Sequence, residues 1–295
     1  MLFLIYINDI VDLFHNVNVK LYADDVKIYL DITSHLDVVS LQDCIDNIVT
    51  WSHTWQLQLA HSKCQHIHIG LSTTPSTTEY YISDAKLPTV ANIRDLGVLV
   101  DNHLSFREHI HSIVSRAHTR SMLIWRCFLC KDIYNLMRAF IIYVRPILEY
   151  CSPVWSPVSA KLVNDLESVQ RRFTKRLPGF SHYPYDNRCA LLGIDRLEFR
   201  RLRADLILCY KIINGLVSLS PDSFFNFNTS HITRGHSLKL HVPTSRINCR
   251  QHFFAVRVVK VWNSLPEEVI SAPRLSVFTF RLKNVNLSRF LVGKL

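Results

Sequence analysis

At 295 residues, 48% of them hydrophobic, the chain is long enough to bury one large core or two medium ones, and 7 glycines without a low-complexity tract exclude a fibrous or disordered protein. Its net charge of +10 is unevenly spread: residues 1–100 carry −6 and residues 101–295 carry +16, so a polyanion, whether nucleic acid or an anionic surface, is drawn to the second part while acid gathers in the first. No apolar run approaches a membrane span, the opening apolar segment lacks the basic residues of a signal peptide, and 8 cysteines without such a signal suggest reduced thiols. The expected protein is therefore intracellular, in nucleus or cytoplasm, neither secreted nor membrane-borne.

Residues 1–10 read as a short apolar segment closed by Asn8 and Asp9. Next come Val17, Val19, Leu21 and Ala23, then Val26, Ile28 and Leu30. Period-two alternation on both sides of a short polar break predicts a β-hairpin with Asp24 and Asp25 at or beside its turn. Two carboxylates at one tip repel each other, and a fold that keeps both charged usually has a cation there. An Asp-rich turn with no chemistry is the plain alternative. Leu41, Ile45, Ile48, Trp51 (or Cys44) and Trp55 set an amphipathic helix over residues 36–55, suited to the back of the hairpin. Alternation suggests a strand over 63–70, a second hairpin over 80–90 turning near Ser83 and Asp84, and another strand over 92–100.

After Asp101 the periods become helical. Ser105 with Glu108 matches a capping box, opening a helix with Phe106, Ile110, Ile113, Ala117 and Ile124 inward. Asp132 can cap a second, with Ile133, Leu136 or Met137, Phe140 and Val144 inward, which Pro146 kinks or ends. Ser159 begins a third, whose stripe is Leu162, Leu166, Val169, Phe173 and Leu177. Arg171, Arg172 and Lys175 fall opposite or beside that stripe with Arg176 at its edge, making a basic ridge. In a fourth helix, over 198–217, Phe199, Leu202, Leu206, Tyr210 and Ile213 face inward, and Arg200, Arg201, Arg203 and Lys211 lie at the margin or outside. Residues 221–243, rich in Asn, Ser, Thr and His, read as a loop or linker. The tail carries Phe253, Phe254, Trp262, Phe278 and Phe280, taken as core and not as base-stacking platforms. Cys127 and Cys130 form a CxxC without a second pair and are read as helix packing; Cys64, His66 and His68 share one strand face by coincidence; neither set is taken as a metal site.

Several strings, in order, resemble one family. Tyr22, Ala23, Asp24 and Asp25 look like the Tyr-X-Asp-Asp box of reverse transcriptases. The string LYADDVKIYL, then Trp55, Lys63-Cys64, and Asp95-Leu96-Gly97-Val98 with Asp101, Leu104, Phe106 and His109 resemble the later palm of a non-LTR retrotransposon reverse transcriptase. VRPILEYCSPVWSP (144–157), Leu166-Glu167 and VQRRFTKRLPG (169–179) resemble its thumb and post-thumb, and FFAVRVVKVWNSLPEEV (253–269) its C-terminal tail.

That resemblance implies an α+β fold in four stretches: half of a polymerase palm, an antiparallel hairpin sheet with a packed helix, over 1–101; a helical thumb and post-thumb over 102–220; a loop or linker over 221–248; a small tail module over 249–295. It implies an RNA-directed DNA polymerase, with RNA template, DNA primer and deoxynucleotides as partners, working by two-metal nucleotidyl transfer with Mg²⁺ or Mn²⁺. Asp24 then matches a metal ligand and Asp25 a neighbour of weaker role; Lys63 matches a proton donor to pyrophosphate; Leu96, Gly97 and Val98 match the primer grip. Arg171, Arg172, Lys175 and Arg176 would hold template and primer phosphates. The family takes a further metal-binding Asp from a strand upstream of a Pro-Gln-Gly box, and this chain shows neither, so an incomplete metal site and a truncated fragment without independent polymerase activity are expected. Two other readings stand beside it: a non-catalytic nucleic-acid-binding protein that uses the basic helical region, and an unrelated α/β protein in which Asp24-Asp25 is only a turn.

Overall fold

The Ser34 backbone N–H donates to the Asp37 carboxylate at 2.7 Å, and the Thr33 N–H and hydroxyl do so at 2.8 Å each, a capping box at the start of the first long helix. These donors hold the Asp37 carboxyl down to about 2. The computed structural model in which this is seen describes residues 2–14, 16–70, 78–228 and 236–293. The chain divides into two units, Met1–Arg94 with Asp101–His103, and Asp95–Val100 with Leu104–Leu295.

The first unit contains α1 (Leu2–Ile7), a 3₁₀ turn (Asn8–Leu13), β1 (Asn18–Tyr22), β2 (Asp25–Tyr29), α2 (His35–Thr54), β3 (Tyr81–Ile82) and β4 (Ala85–Lys86). Its apolar residues gather in two small clusters. Ile7, Ile10 and Trp51 meet Leu21 and Ile48, while Ile45, Tyr80, Ile82 and Leu87 meet Ile28, Leu41 and Cys64. Both clusters draw on α2, so its apolar stripe covers the β1–β2 hairpin through Leu21 and Ile28. Residues 63–70 differ from the expected strand: they hold only the end of a 3₁₀ turn (His61–Lys63) and a single parallel bridge from His66 to Thr89. Cys64 joins the second cluster instead, and among the described residues no group of three or more His, Cys, Asp or Glu is placed to hold a metal.

The strand expected over 92–100 is folded back on itself as β5 (Asn92–Asp95) and β6 (Val98–Asp101). Leu96 and Gly97 between them have φ of 44° and 87°. Positive φ at both central residues is what a tight hairpin needs, and glycine at the second makes it accessible. Among the described residues the hairpins form three separate two-stranded sheets. The arrangement is mixed, helices with small antiparallel sheets, compatible with α+β.

The second unit is helical: α3 (Arg107–Cys127), α4 (Ile133–Tyr143), α5 (Arg145–Glu149), α6 (Ser152–Trp155), α7 (Ala160–Lys175), α8 (Tyr185–Leu191), α9 (Leu197–Ile213), α10 (Asn248–His252), α11 (Phe254–Trp262), α12 (Glu267–Ile270) and α13 (Leu275–Leu282). Helix α3 does not use the expected capping box. The chain enters it through Phe106 at φ 53°, which turns the Ser105 hydroxyl toward the Arg107 N–H (3.4 Å) and away from residue 108. Asp132 does cap α4, accepting from the Asn135 N–H at 2.9 Å, and Pro146 sits in the first turn of α5, where its missing N–H costs nothing.

Two cores fill this unit. Ile110, Ile113, Leu136, Phe140, Leu166 and Phe173 anchor the first. Leu206, Tyr210, Val258, Trp262 and Phe278 anchor the second, where Tyr210 stacks on Phe278 at 4.3 Å and donates its hydroxyl to the Ala272 carbonyl. Of the tail aromatics, Phe254, Trp262 and Phe278 are core as expected, whereas Phe253 and Phe280 are exposed. Cys127 and Cys130 are exposed too, so they pack nothing. Phe225 and Leu240, from the stretch read as loop or linker, lie in the second core, and residues 229–235 of that stretch lie outside the described residues. Among the described residues no helix is long and apolar enough to cross a membrane.

Candidate functional site

Alternation carries Val19, Leu21 and Ile28 to the inner face of the first hairpin, and Tyr22 pairs with Asp25 where its strands end. Ala23 and Asp24 make the turn, with Ala23 at φ 53°. Both Asp24 and Asp25 are exposed, and neither carboxylate has a hydrogen-bond or ion-pair partner among the described residues. Two exposed carboxylates at adjacent positions of a hairpin tip are oxygen donors of the kind Mg²⁺ takes, with water or phosphate filling its remaining positions. The donor set fits one hydrated Mg²⁺. It does not fit a two-metal centre, which needs further carboxylates that no described residue brings to the pair. Lys63, in the same unit, closes the 3₁₀ turn after α2 and is exposed.

Leu96, Gly97 and Val98 have three different environments. Leu96 is exposed at the turn, Gly97 is left-handed, and Val98 is buried in the first core of the second unit. The Tyr150 hydroxyl donates to the Leu96 carbonyl at 3.0 Å, and the Leu99 N–H donates to His109 Nδ1 at 3.2 Å, so the turn is tied to the helical unit. A Cβ on Gly97 would sit 3.6 Å from Tyr150 Cε1, an ordinary contact. Gly97→Ala therefore costs only the left-handed strain, about 1–2 kcal/mol, read as a lower denaturation midpoint; an unchanged midpoint would show that the turn is not held at positive φ.

On α7 the four expected basic residues part company. Arg172, Lys175 and Arg176 are exposed, and none pairs with a carboxylate among the described residues. Arg171 turns inward: its guanidinium lies 5.4 Å from the Tyr185 ring, with Nε and Nη2 buried and without a hydrogen-bond partner. Its position falls beside Gln170, on the side where α8 packs, so the helix carries it out of the ridge. The basic residues of α9 depart further from expectation. Arg201 is buried, Arg200 pairs with Glu149, and Arg203 pairs with Asp195, because α9 is packed on several sides and no open face remains for them. Of the basic residues expected on α7 and α9 to face a polyanion, Arg172, Lys175 and Arg176 are the ones left exposed, and exposed arginines of α3 (Arg107, Arg116, Arg120 and Arg126) add to the positive charge of this unit.

Beside that end lies a groove of about 420 Å³, walled by α3 and α7. His118, Ser121, Met122 and Trp125 contribute the α3 wall, and Arg172, Lys175 and Arg176 the rim opposite. The Arg176 guanidinium sits 5.0 Å from the Trp125 ring. The α3 wall was missed from sequence, although 118, 121, 122 and 125 recur at helical spacing beside the apolar stripe.

A scan for family models matches none, and no solved structure matches. Among curated proteins, the chain is 25% identical over 175 residues to the RNA-directed DNA polymerase from mobile element jockey of Drosophila funebris, covering 57% of this chain and 19% of that protein. It is 22% identical over 188 residues to a probable RNA-directed DNA polymerase from transposon X-element of Drosophila melanogaster, covering 61% and 20%. These likenesses support a reverse-transcriptase-related origin. An uncharacterised protein of Caenorhabditis elegans is 26% identical over 147 residues, 45% of this chain and 74% of that one. The chain spans about a fifth of the length of each polymerase it matches.

Proposed function

We propose that the chain is a portion of a non-LTR retrotransposon reverse transcriptase, with late-palm residues in the first unit and thumb residues in the second. The observation that carries this is that Tyr22-Ala23-Asp24-Asp25 lie on an exposed, paired β-turn whose two carboxylates have no partner among the described residues. Sequence relation to two mobile-element polymerases supports it. In this reading Asp24 ligates Mg²⁺ or Mn²⁺, Asp25 assists from the next position, and Lys63 gives a proton to the departing pyrophosphate. Leu96, Gly97 and Val98 border the primer end, and Arg172, Lys175 and Arg176 hold phosphates of an RNA–DNA duplex. Arg171, stacked on Tyr185, orients α7 and touches no phosphate.

Two carboxylates cannot bridge two metals around a triphosphate, so these 295 residues by themselves do not polymerise. Primer extension on a homopolymer template with Mg²⁺ or Mn²⁺ is expected to give no incorporation above background. Metal-dependent incorporation abolished by Asp24→Ala would overturn the inactivity and identify Asp24 as a working ligand. A second reading, nucleic-acid binding without catalysis, is favoured by the unpaired cations at the end of α7. It predicts hybrid binding that weakens with salt and needs no metal.

A further inference from the structure

Three observations meet in the groove between α3 and α7. Its basic rim of Arg172, Lys175 and Arg176 faces no acidic side chain among the described lining residues. Its lining is mostly apolar: Arg176 lies 5.0 Å and Lys131 5.6 Å from the Trp125 ring, and Phe173, 2% exposed, backs that ring at 5.3 Å. Two polar atoms of its lining are shut off from solvent and have no hydrogen-bond partner: Ser121 Oγ, on a side chain that is only 6% exposed, and Trp125 Nε1. Buried polar atoms are nearly always satisfied, so a pair of orphans in one cavity marks a place for a ligand. The indole N–H can only donate and the hydroxyl can donate, so the ligand must bring acceptors.

A bare phosphate would satisfy the rim and leave the apolar lining uncovered. An uncharged base would cover the lining and leave three cations unused. Ligand sites generally combine a mostly apolar lining with a few placed polar groups at volumes of about 300–1,000 Å³, and 420 Å³ falls in that range.

We propose that this groove binds a nucleoside 5′-monophosphate unit, its phosphate on Arg172, Lys175 and Arg176 and its base against the apolar lining beside Trp125, with Ser121 Oγ and Trp125 Nε1 donating to its acceptors. The unit comes either free or as the phosphorylated, unpaired end of a strand. The inference rests on the reading of the α7 cations as nucleic-acid contacts and adds to it a pocket that takes one nucleotide.

The test uses the full chain and the indole N–H resonance of Trp125, assigned with Trp125→Phe. Titration with dAMP shifts this resonance to saturation. Deoxyadenosine and inorganic phosphate each bind at least about tenfold more weakly, because each offers half of the contacts. Ser121→Ala weakens dAMP by about tenfold, the usual loss for a hydrogen bond to a charged group. A hydroxyl that serves only the fold would show no such loss, and since Ser121 Oγ has no partner in the unliganded protein its removal leaves folding intact. Comparing a blunt RNA–DNA hybrid with one carrying a 5′-phosphorylated single-nucleotide overhang separates the two sources. Tighter binding of the overhang with the same Trp125 shift assigns the strand end, and equal binding of the two hybrids assigns the free nucleotide.

A Trp125 signal unmoved by dAMP, an unaltered affinity in Ser121→Ala, or inorganic phosphate binding as well as dAMP would each overturn the proposal. If the wild-type chain binds blunt hybrid in a salt-dependent way yet leaves Trp125 unmoved by dAMP, the pocket fails and the duplex contacts stand. If dAMP saturates the groove but no hybrid binds, the duplex reading fails and the pocket stands.

Discussion

Replacing Arg172, Lys175 and Arg176 together by glutamate is expected to lower affinity for an RNA–DNA hybrid by about a hundredfold at low salt and to take about three units from the slope of log affinity against log salt. Each phosphate neutralised by a lysine or arginine releases about one condensed counterion, so three lost contacts remove about three such terms. All three side chains are exposed and carry no carboxylate partner among the described residues; Arg176 alone also holds α3, through the Trp125 ring and Met122 Sδ, so the loss of that contact is read separately as a change in stability. Arg171→Glu is the contrasting variant. Its guanidinium is inside, against Tyr185, near the buried Glu167, so the new carboxylate would lower stability while the salt slope of the folded fraction stays as in the wild type. Isothermal titration across a salt series, with circular dichroism on each variant, separates these effects. A triple variant that binds hybrid with the wild-type slope would remove α7 from the nucleic-acid interface.

Glu167→Ala is expected to cost about 3–5 kcal/mol of stability, the largest loss for any single substitution considered. The carboxylate is 3% exposed on α7 and gathers three donors: the Tyr185 hydroxyl, the Leu197 N–H at 3.0 Å and the Glu198 N–H at 3.2 Å. The last two are the first amides of α9, which no helical carbonyl can satisfy, so Glu167 is both the cap and the countercharge at that helix start. Its charge also faces the fully enclosed Arg201, whose own charge burial disfavours. Truncation would leave the Tyr185 O–H and two amides without their acceptor and take one of several facing negative charges from Arg201. Burial and the negative Glu167 keep the Tyr185 hydroxyl protonated far beyond its ordinary range, so this bond does not switch off at any physiological pH. Tyr185→Phe, which removes the donor to Glu167 and one acceptor of Gln170 Nε2 while the other two donors to Glu167 remain, should cost about 1–2 kcal/mol. Urea denaturation of the full chain, followed by helical signal, measures both. Glu167→Ala within about 1 kcal/mol of wild type would mean that the carboxylate is not the hub of this contact.

Local patterns were legible where one face of an element is buried and the other is not. The hairpin with Asp24-Asp25 at its tip, α2 with its stripe, the Asp132 cap and the apolar faces of α3, α7 and α9 follow from residue spacing, because a period of two or 3.6 reports which side meets the core. The Leu96-Gly97 reversal was hidden inside what looked like continuous alternation. Its signal was the glycine, since only a left-handed pair of residues lets the strand fold back at that point.

The sequence by itself determined that this chain has an acidic turn, a basic helical half and relatives among mobile-element polymerases. Tertiary structure alone decided which charges are available. Arg171, Arg200, Arg201 and Arg203 look like the residues beside them in the string, yet α8 and the elements packed on α9 turn them to partners or bury them, while Arg172, Lys175 and Arg176 at the end of α7 stay exposed. Charge is a property of composition, but its exposure depends on which helix faces meet, and that comes from packing between segments far apart in the chain.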